Sequence, residues 1–198
     1  QIHGIERDRE NIVAGNLLLK LKNLEKQAYF RDLQNRLKRF ISRHYASWFP
    51  DIMYHTIGND VFLVEFRKGG DTQFYQDAKG NWVVFEGAVF ALDKTKAYGP
   101  EEILRLYLEE GTAFAEKLDG HFVIKLFDAR KKRHMIVNDI IKAKINYYAE
   151  NEDVILFTPF ALTGALIQPA EIDTDALNEI LWRYYILSEK SIFKNVHQ

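Results

Sequence analysis

The chain has 198 residues and a mass of 23.2 kDa, with 47% hydrophobic and 28% charged residues. That is enough apolar material for one well-filled core, and it excludes disordered, collagen-like and low-complexity classes. The 27 basic and 28 acidic side chains nearly cancel, leaving a net charge of -1, unlike the clearly basic balance of a dedicated nucleic-acid binder. No apolar run approaches the roughly 20 residues that cross a bilayer. Cysteine is absent, which removes disulfides, thiolate nucleophiles and Cys-ligated metals from this chain. The opening Gln1-Ile2-His3-Gly4 lacks the pattern of a secretory signal, and a reducing, cytoplasmic setting is expected.

Apolar residues Leu17, Leu21, Leu24, Phe30, Leu33, Leu37, Phe40, Ile41, Tyr45 and Trp48 recur at three- and four-residue spacing. This predicts helix over 17–49, in one or two pieces, stopped by Pro50. The opposite face is basic, with Lys20, Lys22, Lys26, Arg31, Arg36, Lys38, Arg39 and Arg43 against Glu25 and Asp32. The remainder of the chain is correspondingly acidic, so the expectation is that the two parts attract each other. Strands follow at 51–56, 60–66, 73–76 and 82–90, punctuated by turns such as Lys68-Gly69-Gly70-Asp71. A helix is expected at 100–118, with Pro100 in its first turn and Glu101 and Glu102 at its positive end. Residues 121–127 and 134–137 read as a hairpin whose tip carries Arg130-Lys131-Lys132-Arg133, a solvated turn. Two further strands fit 146–150 and 154–158, and helices fit 160–166 and 174–184, the latter capped by Asp173. No linker or repeat divides the sequence, so residues 1–198 are read as one α+β domain.

Catalytic constellations are missing. There is no phosphate loop, dinucleotide fingerprint, HExxH or G-x-S-x-G. His3, His44, His55, His121, His134 and His197 are scattered without ligand spacing. No metal or cofactor site is expected in this chain.

Four stretches in order, however, carry a likeness. They are Asn81-Trp-Val-Val-Phe-Glu86-Gly87-Ala88-Val89-Phe90, then Glu102 to Gly111 continuing to Lys117-Leu-Asp-Gly-His-Phe122. The third and fourth are Asn138-Asp139 through Lys144 to Tyr148, and Ile172 to Leu177 with Ile192 to Val196. From about Thr72 onward the chain thereby resembles the amino-terminal, class II glutamine amidotransferase domain of asparagine-synthetase-type enzymes. The resemblance implies an N-terminal-nucleophile fold: a four-layer αββα sandwich with two antiparallel sheets between helices. Active members use an amino-terminal Cys as nucleophile and its α-amine as base. An Asn side chain and a Gly N–H hold the oxyanion, while an Arg and an Asp grip the glutamine.

Measured against that pattern, the chain departs at every point except the oxyanion Gly. It has no Cys, and no Ser or Thr precedes Ser42. Gln1-Ile-His-Gly4-Ile5 only echoes the family's Cys-Gly-Ile opening. Glu86 falls at the oxyanion Asn, where its charge would repel the anion. Gly87 matches, but the Glu that follows in the family is Ala88. The gripping Asp falls at Gly99 or Pro100, and the gripping Arg near Asp60. Residues 5–35 do not follow the family and read as an insertion or a rebuilt edge.

The resulting expectation is a degenerate, non-catalytic amidotransferase-like scaffold of an ATP-dependent, amide-forming ligase. β-Lactam synthetase and lasso-peptide cyclases hold domains of this kind. Its partner would be a C-terminal synthetase domain or subunit, with a homodimer also considered; ATP and Mg²⁺ would belong to that synthetase part. Neither nucleic acid nor a membrane is the expected partner. The chain stops where such a synthetase domain would begin, so it reads as a fragment or a separate domain. Two rival readings stand beside this: a small-molecule or peptide module using the emptied pocket, and an interaction protein using the basic helix on a partner or an anionic membrane. A third is residual hydrolysis through Glu86.

Overall fold

The computed structural model describes residues 13–68, 72–183 and 190–198. The Gln1–Ile5 opening, residues 69–71 of the expected turn, and position 184 of the last expected helix lie outside them. Strand β1 (Val13–Leu21) leads through a short 3₁₀ turn into helix α1 (Gln27–His44). The hairpin of β2 (Asp51–Ile57) and β3 (Val61–Arg67) follows, then β4 (Phe74–Gln76) and β5 (Trp82–Ala91). Helix α2 (Pro100–Glu110) runs into a 3₁₀ segment, and β6 (Leu118–Asp128) pairs with β7 (Arg133–Asn138). The chain closes with β8 (Tyr147–Glu150), β9 (Val154–Thr158), the single-turn α3 (Ala161–Gly164) and α4 (Thr174–Arg183).

The strands form two antiparallel sheets, ordered β2-β3-β1-β9-β8 and β4-β5-β6-β7. Three apolar clusters show how they stack. Phe30, Leu33, Leu37 and Ile41 of α1 pack on Leu17, Leu19, Leu21, Phe62 and Phe66 of the five-stranded sheet. Ile103, Leu104 and Tyr107 of α2 pack on Val83, Phe85, Ile124 and Leu126 of the four-stranded sheet. Between the sheets lie Leu18, Val61, Leu63, Trp82 and Val84. The order is therefore helix, sheet, sheet, helix: the expected α+β four-layer sandwich.

Three expectations require correction. Residues 17–21 are strand, not helix, and the helix starts at Gln27. Leu17 and Leu19 face α1 while Leu18 faces the second sheet, so β1 is apolar on both sides, and such a run mimics a helix in periodicity. Far from an edge, β1 is the central strand between β3 and β9. The expected helix to residue 118 ends at Glu110, where Gly111 takes a φ of 63° and a 3₁₀ segment begins. Asp173 does cap α4, its Oδ1 accepting from the N–H groups of Asp175 and Ala176 at 3.0 Å.

Candidate functional site

Strand alternation decides what each residue of β5 faces. Val83 and Phe85 point to α2, so Trp82, Val84 and Glu86 point between the sheets. On β6 the same alternation turns Lys125 inward, because Ile124 and Leu126 face α2, and Lys125 pairs across from Val84. From β1 comes Asn16. Glu86 is 2% exposed and Lys125 and Asn16 are 0% exposed.

Asn16 stands between the two charges. Its backbone N–H donates to Glu86 Oε2 at 2.9 Å, while its carbonyl accepts from Lys125 Nζ at 2.7 Å and its Oδ1 accepts from the same amine. Burial pushes the Lys125 amine down to about 8, against the pull of the Glu86 charge. Burial likewise raises the Glu86 carboxyl, opposed by Lys125, the Asn16 N–H and Lys144. The reach of Glu86 depends on Gly15, since a Cβ there would lie 2.7 Å from Pro159 Cγ and 3.0 Å from Glu86 Oε2.

Outward from Glu86 the chain opens a cleft of about 320 Å³ beside Gly87, Ala88 and Gly99, with Thr72, Gln73 and Tyr98 on its walls. Gly87 has a φ of 91°, and a Cβ on it would sit 1.8 Å from the His121 carbonyl oxygen, so no other residue fits. Gly99 precedes α2, its N–H donating to Glu102 Oε2 at 2.9 Å. Of the five pocket positions inferred from sequence, Gly87, Ala88 and Gly99 line this cleft, while Glu86, next to Gly87 in β5, points between the sheets.

Asp60 does not join them. It lies in the β2–β3 turn, its carboxylate paired with Lys20, lining a separate hollow with Gly58, Trp82 and His134. Lys20 pairs with Val61 and Asn16 with Glu65, a separation of four residues, or roughly 13 Å along the strand. Beside Asp60, His134 rests against Trp82 and Phe127, and burial with the nearby Lys20 charge pushes it down to about 4.

The acidic group of β3 that reaches the cleft wall is Glu65, which sequence reasoning passed over. It is fully buried. Its Oε2 accepts from Thr72 Oγ1 at 2.7 Å and lies 2.8 Å from His55 Nε2, and its Oε1 accepts from the Gln73 N–H at 2.9 Å. Burial alone would raise this carboxyl, but the contacts from His55, Thr72 and Gln73 together hold it below the usual carboxylate range. Glu65 and Lys125 were each visible as a lone charge inside an apolar run, Val-Phe-Leu-Val-Glu-Phe and Phe-Val-Ile-Lys-Leu-Phe.

Chemically, the Glu86, Asn16 and Lys125 cluster contains no hydroxyl or thiol nucleophile, and its one amine, Lys125, is buried and directed at the Asn16 oxygens. Its buried carboxylate would oppose any anion forming beside it. Among the described residues, no group of three or more His, Asp or Glu could hold a metal ion. Compared with known proteins, the chain matches no curated protein. A family model described as a glutamine amidotransferase domain matches residues 61–198.

Proposed function

Because the chain belongs to the glutamine amidotransferase domain family, we propose that it is a non-catalytic member, serving as the scaffold of an asparagine-synthetase-like, ATP-dependent, amide-forming ligase. One observation carries the reading. Where the family resemblance implies an Asn that receives the oxyanion, this chain carries Glu86, closed off between the sheets and tied through Asn16 to Lys125. An interior filled in this way supports packing rather than amide hydrolysis. The absence of any cysteine in the sequence agrees. Losing a nucleophile or an oxyanion donor costs factors of about a hundred to a million in rate.

On this reading the amine comes from the ligase's own substrate. The synthetase domain or subunit would handle ATP and Mg²⁺ through a Ser-Gly-Gly-x-Asp-Ser loop, which this sequence lacks. The cleft beside Gly87 and Gly99 favours a second reading, a binding site for a small polar molecule or a peptide end. Saturable heat on titration of glutamine or a short peptide would support it.

The decisive experiment is an assay of glutamate and ammonia release from glutamine at high protein concentration. The expected result is no release above the uncatalysed rate, and none in the Glu86→Asn variant, which restores the family's residue. Turnover proportional to protein, and lost on substitution at Glu86, would overturn the scaffold reading.

A further inference from the structure

Helix α1 is the outermost layer on its side of the sandwich. Phe30, Leu33, Leu37 and Ile41 are buried beneath it. Its outward surface carries Arg31, Arg36, Lys38, Arg39 and Arg43, all exposed, against a single Asp32. Arg36, Arg39 and Arg43 follow one another at three- and four-residue spacing on one flank, and Arg31 and Lys38, seven apart, share the other.

The sequence led us to expect these charges to be neutralised by the acidic remainder of the chain. They are not. Among the described residues none of the five lies within ion-pair distance of a carboxylate. The contacts they do make are an Arg36 hydrogen bond to the Leu166 carbonyl at 3.1 Å and Lys38 over the Tyr54 and Phe62 rings. By contrast Arg105, Lys117 and Lys96, near α2, each pair with a glutamate.

Both ends of this basic surface carry an exposed large apolar side chain: Leu24, 64% exposed, just before α1, and Trp48, 65% exposed, just after it. The helix between them has 18 residues, or about 27 Å.

We propose that the outer face of α1 is a peripheral docking surface for an anionic lipid bilayer. Cations spread along the helix suit a plane of negative headgroups, and Trp and Leu at its two ends suit the headgroup boundary. Phosphate contacts of a nucleic acid would also use the arginines, but Leu24 offers nothing to them, and the exposed ring beside the cations, Tyr54, is stacked on Phe62 with the Lys38 amine over it rather than open for bases to stack on. The apolar side of α1 is committed to the core, so the helix rests on the surface without rolling in. No described helix is long and apolar enough to cross a membrane. The sequence-level expectation that a membrane is not a partner rested on charge-rich helix faces being ordinarily solvated; the unpaired cations and the two flanking apolar groups distinguish this one.

The test is flotation of the full chain with phosphatidylcholine vesicles, with and without phosphatidylserine. The chain should partition onto the phosphatidylserine vesicles alone, and less so as salt is raised. The triple variant R36E/R39E/R43E should lower that partition at least about a hundredfold, and Trp48→Ala about tenfold. The milder R36Q/R39Q/R43Q covers the case in which reversal disturbs folding, with thermal melting monitored by circular dichroism for each variant. Equal partition onto both vesicle types, no partition at all, or partition unchanged in folded triple variants would overturn the proposal. Retention on immobilised RNA without vesicle binding would overturn it in favour of a nucleic-acid surface.

Discussion

Lys125 carries its amine into a region where, among the described residues, Asn16 oxygens and the Glu86 carboxylate offset the loss of water. Such a group leaves a trace in the pH dependence of stability. Its folded value of about 8 lies below the ordinary 10.5, so between those values the unfolded chain binds more protons, and stability rises with pH across that window. The full effect is about 3 kcal/mol. Urea unfolding from pH 7 to pH 11 should therefore show this rise in the native chain and lose it in Lys125→Met. An identical profile in the variant would mean that the amine is hydrated in the folded state. Lys125 and Glu65 also mark what could be read in advance at this scale. A solitary charge within an apolar strand announces a buried polar contact, but its partners, Asn16 on one side and His55 with Thr72 on the other, come from strands that only tertiary pairing brings near.

Among the elements, the hairpins were legible and the opening strand was not. β2–β3 and β6–β7 alternate or run apolar between clear turn residues, and their pairing follows from proximity in the chain. In β1, Leu17, Leu18 and Leu19 face two different cores, a property fixed by the neighbours β3, β5 and β9 rather than by its own pattern. The placing of Asp60 failed for a related reason. Counting residues back from Glu86 treats the chain between as uniform, whereas the register sets Glu65 beside Asn16 and leaves Asp60 in the turn. In β5, Gly87 matches the family for a reason that belongs to the strand. With φ at 91° and the His121 carbonyl where a Cβ would stand, its replacement strains the β5–β6 ladder regardless of chemistry. Gly87→Ala should destabilise the domain by at least about 2 kcal/mol in chemical denaturation. A smaller loss would show that the strand can relax there.

The whole molecule divides its stability unevenly among its layers. The β1 backbone is paired on both sides, to β3 and β9, and covered by α1 on one face and the second sheet on the other. β4 and β7 are sheet edges. Native-state hydrogen exchange should accordingly be slowest at Leu17 to Lys20 and markedly faster in β4 and β7. Uniform protection across both sheets would contradict this picture of a rigid inner seam with softer margins.

That inner seam has a consequence for biosynthesis. β1 emerges from the ribosome among the first described segments, yet one of its two strand partners, β9, carries Phe157 opposite Leu18. Until residues near 157 have been translated, one edge of β1 remains without its mate, a leucine-rich ribbon whose free backbone groups must be kept from pairing elsewhere. The five-stranded sheet therefore closes late, through its longest-range pairing.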